Sequence, residues 1–523
     1  MPLTTNEPPR IWDLDEITVT EPATIRRAIT AASIGNVTEW YDFGVYAYFE
    51  PVISRVFFAG LDHTVATIAT FGLFAIAFLV RPFGGMFFGP LADRIGRTQV
   101  LAITMILMAL GTFAIGCIPD PAAIGMLAPL FLLLARLVQG FSTGGEYGSA
   151  MTFIAEYAPD RRRGYLGSWL EFGTFAGYLL GAATVTLVSA ALSPEDLVSW
   201  GWRLPFFVAL PLGFVGIYLR MRLGDTPAFR QMQEDAARVQ KERKGRHEFR
   251  DVLRLWPFML VCTGLVVAWN VTNYMLTSYM PTYVSDTLPA MGDDGISSGA
   301  SQVIQIIVMA VALVTIPLLG KLSDRIGRKP VAMAGAIGLV VLALPMILLI
   351  RSETPVTVFL GLLMMGLLLI CFSATMPSTL PSLFPTHVRA GGLSIAFNVA
   401  ISLFCGTTSL AVGTLVSATG DLNWPAYYLI AAGVVGIISL ILLQRAERTT
   451  HVGVGPVGRR PRGGAPHLRR SGRGRARPSQ PHLSGRRPDA HLAITSRRPP
   501  ARRPAGSRPP ARDASAGRGG WRA

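Results

Sequence analysis

The chain has 523 residues, of which 50% are hydrophobic and 15% charged, and its mean hydropathy is +0.42. A soluble domain needs more charge on its surface, so this composition excludes an ordinary globular protein and favours a membrane protein. The formal net charge of +16 resides in residues 451–523, because residues 1–450 hold equal numbers of acidic and basic side chains. The body of the chain therefore has no basic excess of the kind that marks a nucleic-acid-binding protein.

The chain begins with an acidic segment, residues 1–27, that has neither the basic start nor the cleavage site of a signal peptide. Apolar stretches of about 20 residues, enough to cross a bilayer, then follow. Six lie at 28–49, 66–88, 98–118, 123–150, 165–190 and 203–222, and six more at 255–280, 300–319, 331–350, 355–378, 391–418 and 424–445. The sequence predicts an all-α membrane protein with twelve transmembrane helices.

The mixed-charge stretch 223–254 is predicted to be a linker between two six-helix halves, residues 28–222 and 255–448. A charged nonapeptide occurs once in each half: GPLADRIGR at 89–97 and GKLSDRIGR at 320–328, identical at seven of nine positions. Each copy joins the second and third predicted helices of its half. Duplicated halves of this kind are typical of transporters that bind their substrate between the halves, near the bilayer midplane.

The two nonapeptides are candidates for a gate between the halves. An aspartate there can face the positive N-terminus of a neighbouring helix, while the arginines pair with carboxylates or lipid phosphates. Such contacts would hold one access state closed and break in the other; the alternative is that these charges only fix the topology. The candidate gating residues are Gly89, Asp93, Arg94, Gly96 and Arg97, and Gly320, Asp324, Arg325, Gly327 and Arg328.

Basic residues are concentrated in alternate loops. These loops include both nonapeptides, the run Arg161–Arg163 and the linker, whereas the other loops carry mainly aspartate and glutamate. Since lysine and arginine are retained on the cytoplasmic side, the nonapeptides, the linker and both termini are predicted to be cytoplasmic.

Two carboxylates lie on the first predicted helix. An ionisable side chain inside a span costs about 2.5–3.5 kcal/mol on insertion scales, so each one indicates a functional role. Glu39 and Asp42 are three residues apart and share a helical face with Gly35 and Tyr46. Two ionised carboxylates this close repel each other, which favours proton binding by one of them. The alternative is a structural ion pair with an arginine of a neighbouring helix.

Four further ionisable residues are site candidates: Arg81, Arg136, Glu146 and Glu171. The two arginines are the available partners for such an ion pair. Because arginine keeps its proton, Arg136 can bias a carboxylate or bind a substrate carboxylate with two hydrogen bonds. Arg81 and Glu171 have the alternative role of salt-bridge partners close to the cytoplasmic interface.

Glycines spaced by four occur on helix four, at 140, 144 and 148, and on helix five, at 173, 177 and 181. Small faces of this kind let helices approach closely. We therefore expect these glycines to serve helix packing.

Aromatic residues cluster on helices one and seven, which the repeat relates. Rings of this sort can hold a quaternary ammonium by cation–π attraction, worth about 0.5–2 kcal/mol each. Aromatic belts at the membrane interface are the commoner explanation. The residues concerned are Trp40, Tyr41, Tyr46, Tyr48, Trp269, Tyr274, Tyr279 and Tyr283.

The motifs together resemble a known family. The repeated nonapeptide and RLVQG at 136–140 resemble signatures of the major facilitator superfamily, and GNVTEWYDFGVY, FLVRPFGG, QGFSTGGEYGSA, EYAPDRRRGYLGSWLEFG and STLPSLFPTHVR are similar to motifs of its metabolite:proton symporters. The resemblance covers about residues 20–448. It implies the major facilitator fold in the inner membrane of a cell, transport rather than enzymatic activity, and a proton gradient as driving force in place of any cofactor.

The resemblance leaves two substrate classes open. Similarity is greatest to symporters of compatible solutes, which implies proton-coupled uptake of a zwitterion such as proline or glycine betaine, with Arg136 as a coupling residue. Related symporters with nearly the same loops take up organic acids such as citrate, 2-oxoglutarate or shikimate. A substrate with two or three carboxylates should need more cationic side chains than Arg81 and Arg136. Helix five also lacks the Gly-Pro pair shared by antiporters of the superfamily, which favours a symporter.

Residues 449–523 form a tail rich in arginine, proline and glycine, without lysine or apolar periodicity, and we predict disorder there. The tail is either a basic segment that binds anionic lipid or the product of a shifted reading frame in a GC-rich gene. A nucleic-acid partner is not expected, since Trp521 is the tail's one aromatic residue for base stacking. The sequence also contains no phosphate-binding loop, catalytic constellation or metal-spaced set of histidines and cysteines.

Overall fold

The computed structural model describes residues 22–95, 97–144, 146–224, 255–292, 296–352, 354–384 and 389–449. Most of the acidic N-terminal segment, the linker from residue 225 and the tail from residue 450 lie outside these ranges. Within them the chain is helical and has no strand. We call its twelve long helical stretches span one to span twelve.

The first half contains spans one to six, three of them single helices and three built from two helices joined end to end. In chain order they are Pro22–Tyr48 followed by Glu50–Phe57, His63–Leu79 with Arg81–Ile95, Arg97–Gly116, Leu127–Ser142 with Glu146–Tyr157, Arg163–Ala191, and Leu204–Gly224. Two short helices, Pro121–Ile124 and Pro194–Ser199, lie in the loops before spans four and six. Each begins where a side chain, Asp120 or Ser193, accepts a hydrogen bond from a free N–H of the first turn.

The second half contains spans seven to twelve. They are Trp256–Ala290, Ser298–Ile326, Arg328–Ile350, Pro355–Leu383, Arg389–Ala400 with Thr408–Thr419, and Trp424–Thr449. The second nonapeptide ends span eight and begins span nine, with Gly327 at φ +100° in the turn between them. Spans seven and eleven contain π-helical turns, at Met275–Tyr279, Tyr283–Thr287 and Ile401–Cys405, a feature that often marks functional sites.

The helices are apolar on the outside. Eight of the described helices are long and apolar enough to cross a bilayer, namely spans two, five and seven to twelve. Spans three, four and six contribute shorter apolar helices, and span one carries buried carboxylates that lower its hydropathy. Large apolar side chains such as Met86, Leu187 and Val314 are 74%, 70% and 66% exposed, as expected for surfaces that face lipid.

Each half packs around its first span. Span one lies against spans five and six, and span seven lies against spans eleven and twelve. The halves meet where span five contacts span eight, span two contacts span eleven, and span one contacts span seven. The first, second and fifth spans of each half therefore form the interface between the halves.

The glycines of span five bring it to backbone distance from span one. A Cβ atom added at Gly177 would lie 2.5 Å from the Val37 carbonyl oxygen, and one at Gly181 would lie 3.0 Å from the Tyr41 carbonyl oxygen. Glycines of span four meet the backbone of span two in the same way. The packing role predicted for these glycines is confirmed.

Gly177→Ala is expected to destabilise the folded protein by about 1–3 kcal/mol, because the added methyl group must push spans one and five apart. Thermal unfolding of the detergent-solubilised chain measures the effect. Gly72→Ala is the matched control, since Gly72 is also helical but has no atom within 4 Å of the added Cβ. The control should be neutral or stabilising by up to about 1 kcal/mol. Equal melting temperatures for the two variants would contradict the close-packing argument.

Candidate functional site

Arg81 is buried at the junction between the two helices of span two and is only 2% exposed. Its Cζ atom lies 4.5 Å from the ring centre of Phe78, 4.9 Å from that of Phe43 and 5.7 Å from that of Trp40. Its Nη2 atom lies 3.8 Å from Oε1 of Glu39. Among the described residues, the Nε and Nη2 groups of Arg81 have no hydrogen-bond acceptor. The guanidinium therefore has donors to offer inside an aromatic cluster.

Arg136 on span four is the second buried cation. Its Cζ atom lies 3.5 Å from the ring centre of Tyr46, and its Nη1 donates to Oε1 of Gln139 at 2.9 Å. The Gln139 amide donates in turn to the Thr112 hydroxyl at 2.6 Å. Asp42, which is 4% exposed, faces both Thr112 and Arg136.

The two carboxylates of span one thus face different arginines. The face predicted from their spacing is present: both line one small cleft with Gly35, Thr38, Thr104, Met105, Met108, Ala109, Ser142 and Thr143. The ion pair considered as the alternative to coupling exists for Glu39 and Arg81. Asp42 is the carboxylate that faces the Arg136–Gln139–Thr112 chain.

Glu171 on span five is 2% exposed and ties three spans together. It accepts hydrogen bonds from the Tyr147 hydroxyl and, at 3.3 Å, from the Thr174 hydroxyl. The Asn36 amide donates to the same Thr174 hydroxyl at 2.6 Å and to the Leu170 carbonyl at 2.9 Å. Among the described residues, hydroxyl groups rather than an arginine hold this carboxylate, so the alternative role of Glu171 as a salt-bridge partner is not the one observed.

Tyr147 extends the network to the second half. Its ring stacks on that of Phe397, with centroids 5.1 Å apart and planes inclined by 13°, and lies 6.3 Å from the Trp269 ring. The Trp269 indole donates to the Ser373 hydroxyl at 3.0 Å, and Ser373 in turn faces Glu171. Side chains of both halves therefore surround one buried carboxylate.

The eight aromatic residues predicted from spans one and seven are all buried, none more than 4% exposed. The interface-belt explanation is wrong for them, because a belt residue lies on the outer surface at the membrane boundary. Trp40 and Tyr274 line the Arg81 cluster, whereas Tyr41 points away and donates to the Pro205 carbonyl on span six.

Several members of this cluster were not predicted from the sequence. They are Phe43, Phe74, Phe78, Tyr147 and Tyr178, whose rings contact those of Trp40, Tyr274 or Trp269. The spacing of Phe74, Phe78 and Arg81 by four and three residues marks one helical face and could have identified that group. For Tyr178 we find no such signal.

We call the end of the bundle that holds the nonapeptides the nonapeptide end. There Asp324 accepts hydrogen bonds from the backbone N–H groups of Gly164 and Tyr165, at 2.8 and 2.9 Å, at the start of span five. This is the aspartate-to-helix contact between halves predicted for the second nonapeptide. Arg328 lies 3.9 Å from Asp324 and donates to the Ser378 carbonyl at 3.1 Å.

The remaining gating candidates have other positions. Gly320 faces Ser168 on span five, and Arg325 is exposed. The side chains of Asp93, Arg94, Arg97 and Glu146, the surroundings of Gly89, and the whole of Gly96 lie outside the described part of the chain.

The opposite end, which we call the far end, is also closed by contacts between the halves. The Thr282 hydroxyl of span seven donates to Oε2 of Glu50 at 2.6 Å. Asp286, further along span seven, lies 3.0 Å from Nε2 of His63 and 3.7 Å from Nη2 of Arg55. The buried cluster therefore lies between two closed ends.

Comparison with known proteins identifies the family. The model of the family described as "Sugar (and other) transporter" matches residues 28–447. The proline/betaine transporter of Salmonella typhimurium is 45% identical over 449 residues, covering 85% of this chain and 88% of that protein. The glycine betaine/proline/ectoine/pipecolic acid transporter OusA of Dickeya dadantii matches with the same identity and coverage.

Among solved structures, the proton:xylose symporter XylE from E. coli, a major facilitator superfamily protein, superposes with a TM-score of 0.65 at 19% identity, covering 82% of this chain and 96% of that one. The match confirms the predicted fold class. The family and its members are transporters, which confirms that the chain is not an enzyme. This multi-pass membrane protein belongs to the sugar (and other) transporter family and has the fold of major facilitator superfamily structures.

Proposed function

We propose that the protein is a secondary active transporter that imports a compatible solute, a small zwitterion such as proline or glycine betaine, together with protons. The names of the relatives in Salmonella and Dickeya support this substrate class. The chemistry of the buried cluster supports it independently.

The charge balance of the cluster is the observation that carries the choice of substrate. The two buried arginines, Arg81 and Arg136, face two buried carboxylates, Glu39 and Asp42, and Glu171 adds a third. Positive charge is therefore not in excess among the described residues of the cluster. Burying an uncompensated ion costs several kcal/mol, which disfavours an anion such as citrate, 2-oxoglutarate or shikimate. A zwitterion adds no net charge and fits this balance.

Arg81 and the rings around it suit the two ends of such a solute. The unused Nε and Nη2 donors of Arg81 can hold the carboxylate in a planar, two-bond arrangement. Glu39 and the faces of Trp40 and Tyr274 can attract the ammonium group, both the N–H-bearing group of proline and the quaternary group of glycine betaine. Binding would exchange part of the Glu39–Arg81 contact for contacts to the solute.

Proton coupling is assigned to Asp42. A proton on this carboxyl removes the charge that Arg136 faces and loosens the contact between spans one and four. Protonation and solute binding together would then favour the closed state, from which the nonapeptide end opens by breaking the Asp324 contacts to span five.

We place the nonapeptide end and both termini in the cytoplasm and the far end outside, with the protein in the inner membrane of the cell. The arginines of the nonapeptide loops support this orientation. Lipid tails cover the exposed apolar faces of the spans, the proton gradient supplies the energy without a cofactor, and no nucleic acid takes part.

Reconstituted liposomes test the function. The full chain should accumulate labelled proline or glycine betaine when the outside is more acidic than the lumen, and a protonophore should abolish the accumulation. Citrate supplied in the same way should stay at its equilibrium level. Accumulation of citrate alone would reverse the substrate assignment, and no movement of any solute under any gradient would remove the proposed function.

A further inference from the structure

Glu50 is a buried carboxyl that the proposed binding and proton-coupling steps do not use. It begins the helix Glu50–Phe57 that continues span one, and it is 1% exposed. Its Oε2 atom accepts the Thr282 hydrogen bond from the other half, whereas its Oε1 atom has no hydrogen-bond partner among the described residues.

Few charges near Glu50 can balance an ionised carboxylate. Tyr46 and Tyr279 face it from spans one and seven, and Arg55 and Asp286 act on it from the far end. Arg55 is the nearest cation on its own helix, but this side chain is 64% exposed and lies 3.7 Å from Asp286. His63 also contacts Asp286 rather than Glu50. The permanent positive charge of Arg55 is therefore shared with a second carboxylate.

The hydrogen bonds indicate which form of Glu50 fits the closed end. An ionised carboxylate leaves Oε1 buried without a donor, which costs several kcal/mol. A protonated carboxyl removes that charge, and because Thr282 already donates to Oε2, the proton belongs on Oε1. When spans one and seven separate, water can reach Oε1 and solvate the ionised form.

We propose that Glu50 is a proton-dependent lock on the far end: it takes a proton from the outside when spans one and seven close on Thr282 and returns it to the outside when they part. The proposal rests on the proposed transport function. Because the proton returns to its own side, Glu50 sets the external pH at which the far end closes and does not change the number of protons carried per solute.

Glu50→Gln distinguishes an effect on the pH at which the far end closes from an effect on the number of protons carried per solute. Glutamine mimics the protonated carboxyl, so this variant should behave at every pH as the natural protein does in acid. Exchange of labelled for unlabelled proline is measured in liposomes with the same pH on both sides. If closure needs a protonated Glu50, the exchange rate of the natural protein should drop about tenfold for each pH unit above the titration of this carboxyl, a loss that we call the alkaline fall. In the variant the alkaline fall should be smaller by that factor. Accumulation at a fixed pH gradient should stay unchanged.

Matched variants exclude other causes. Glu195→Gln makes the same change at an exposed carboxyl of the far end and should leave the profile unchanged. His63→Gln removes a titratable group of the far end that contacts Asp286. This variant should show the same alkaline fall in exchange rate as the natural protein. Thr282→Val leaves the Glu50 carboxyl but removes a donor that stabilises its ionised form, so the fall should begin at higher pH.

Three results would overturn the lock. The first is a natural pH profile in both the Glu50→Gln and Thr282→Val variants. The second is a folded Glu50→Gln protein that exchanges proline at no pH, and the third is a lower accumulation ratio, which would mean that the Glu50 proton crosses the membrane. If Glu50→Gln does not fold, the Thr282→Val profile decides alone. A natural protein that moves no solute instead refutes the proposed function, whatever the variants do.

Discussion

Asp42→Asn is expected to abolish solute accumulation driven by a pH gradient while leaving exchange of labelled for unlabelled solute intact. Asparagine resembles the protonated carboxyl in shape and neutrality, so the variant can pass through the closed state but cannot release a proton. With one proton per solute, each unit of pH gradient supports about a tenfold accumulation in the natural protein, since one pH unit is 1.36 kcal/mol. The variant should reach only equal concentrations on both sides.

Uptake and exchange in the same liposomes measure the two activities. Asp120→Asn is the control, because Asp120 is an exposed helix cap and asparagine caps a helix equally well. Glu39→Gln should differ from Asp42→Asn, since it leaves Arg81 without its carboxylate and should weaken solute binding. Full accumulation by Asp42→Asn would remove Asp42 from proton coupling.

The sequence predicted the spans because a bilayer demands long apolar helices, but it misplaced several ends. Span seven was predicted at 255–280 and extends to Ala290. In the sequence, Pro281 and Asp286 indicate that the apolar helix has ended, because proline usually breaks a helix and a charged residue usually lies outside an apolar span. In the structure the π-helical turns at Met275–Tyr279 and Tyr283–Thr287 lie on either side of Pro281, and the helix continues through it. This continuation places Thr282 and Asp286 at the far end, where they contact the other half.

The candidate site was predictable where it depends on one helix. The spacing of Glu39 and Asp42 gave their shared face, which lines the cleft. Which arginine each carboxylate faces depends on the packing of spans two and four against span one, and local spacing carries no such information. The aromatic residues show the same limit: their position along a span is readable, but whether a ring points to lipid or to the interior depends on the rotation of the helix, which the neighbouring helices set.

Arg81→Lys is expected to raise the KM for solute uptake by roughly 10-fold to 100-fold without changing the number of protons carried per solute. Lysine keeps the positive charge beside Glu39, so the ion pair and the fold should survive. It loses the planar group that stacks on Phe78 and the paired donors proposed for the solute carboxylate. A hydrogen bond to a charged group contributes about 1.5–3 kcal/mol, and each 1.4 kcal/mol is a factor of ten in affinity.

Arg203→Lys is the matched control for this prediction. The Cζ atom of Arg203 lies 4.6 Å from the Trp202 ring centre, and its guanidinium donates to the Ser199 and Ile118 carbonyls, but it lies outside the cluster. The control variant should lose some stability and keep its KM within about twofold, because it contacts no solute. Two results would contradict a direct contact between Arg81 and the solute: an equal shift in KM for both variants, or a loss of proton coupling by Arg81→Lys at unchanged KM. Either would mean that Arg81 affects transport through the packing of the helices. A selective rise in KM for Arg81→Lys places the solute carboxylate at the Arg81 guanidinium, whose Nε and Nη2 groups have no acceptor among the described residues.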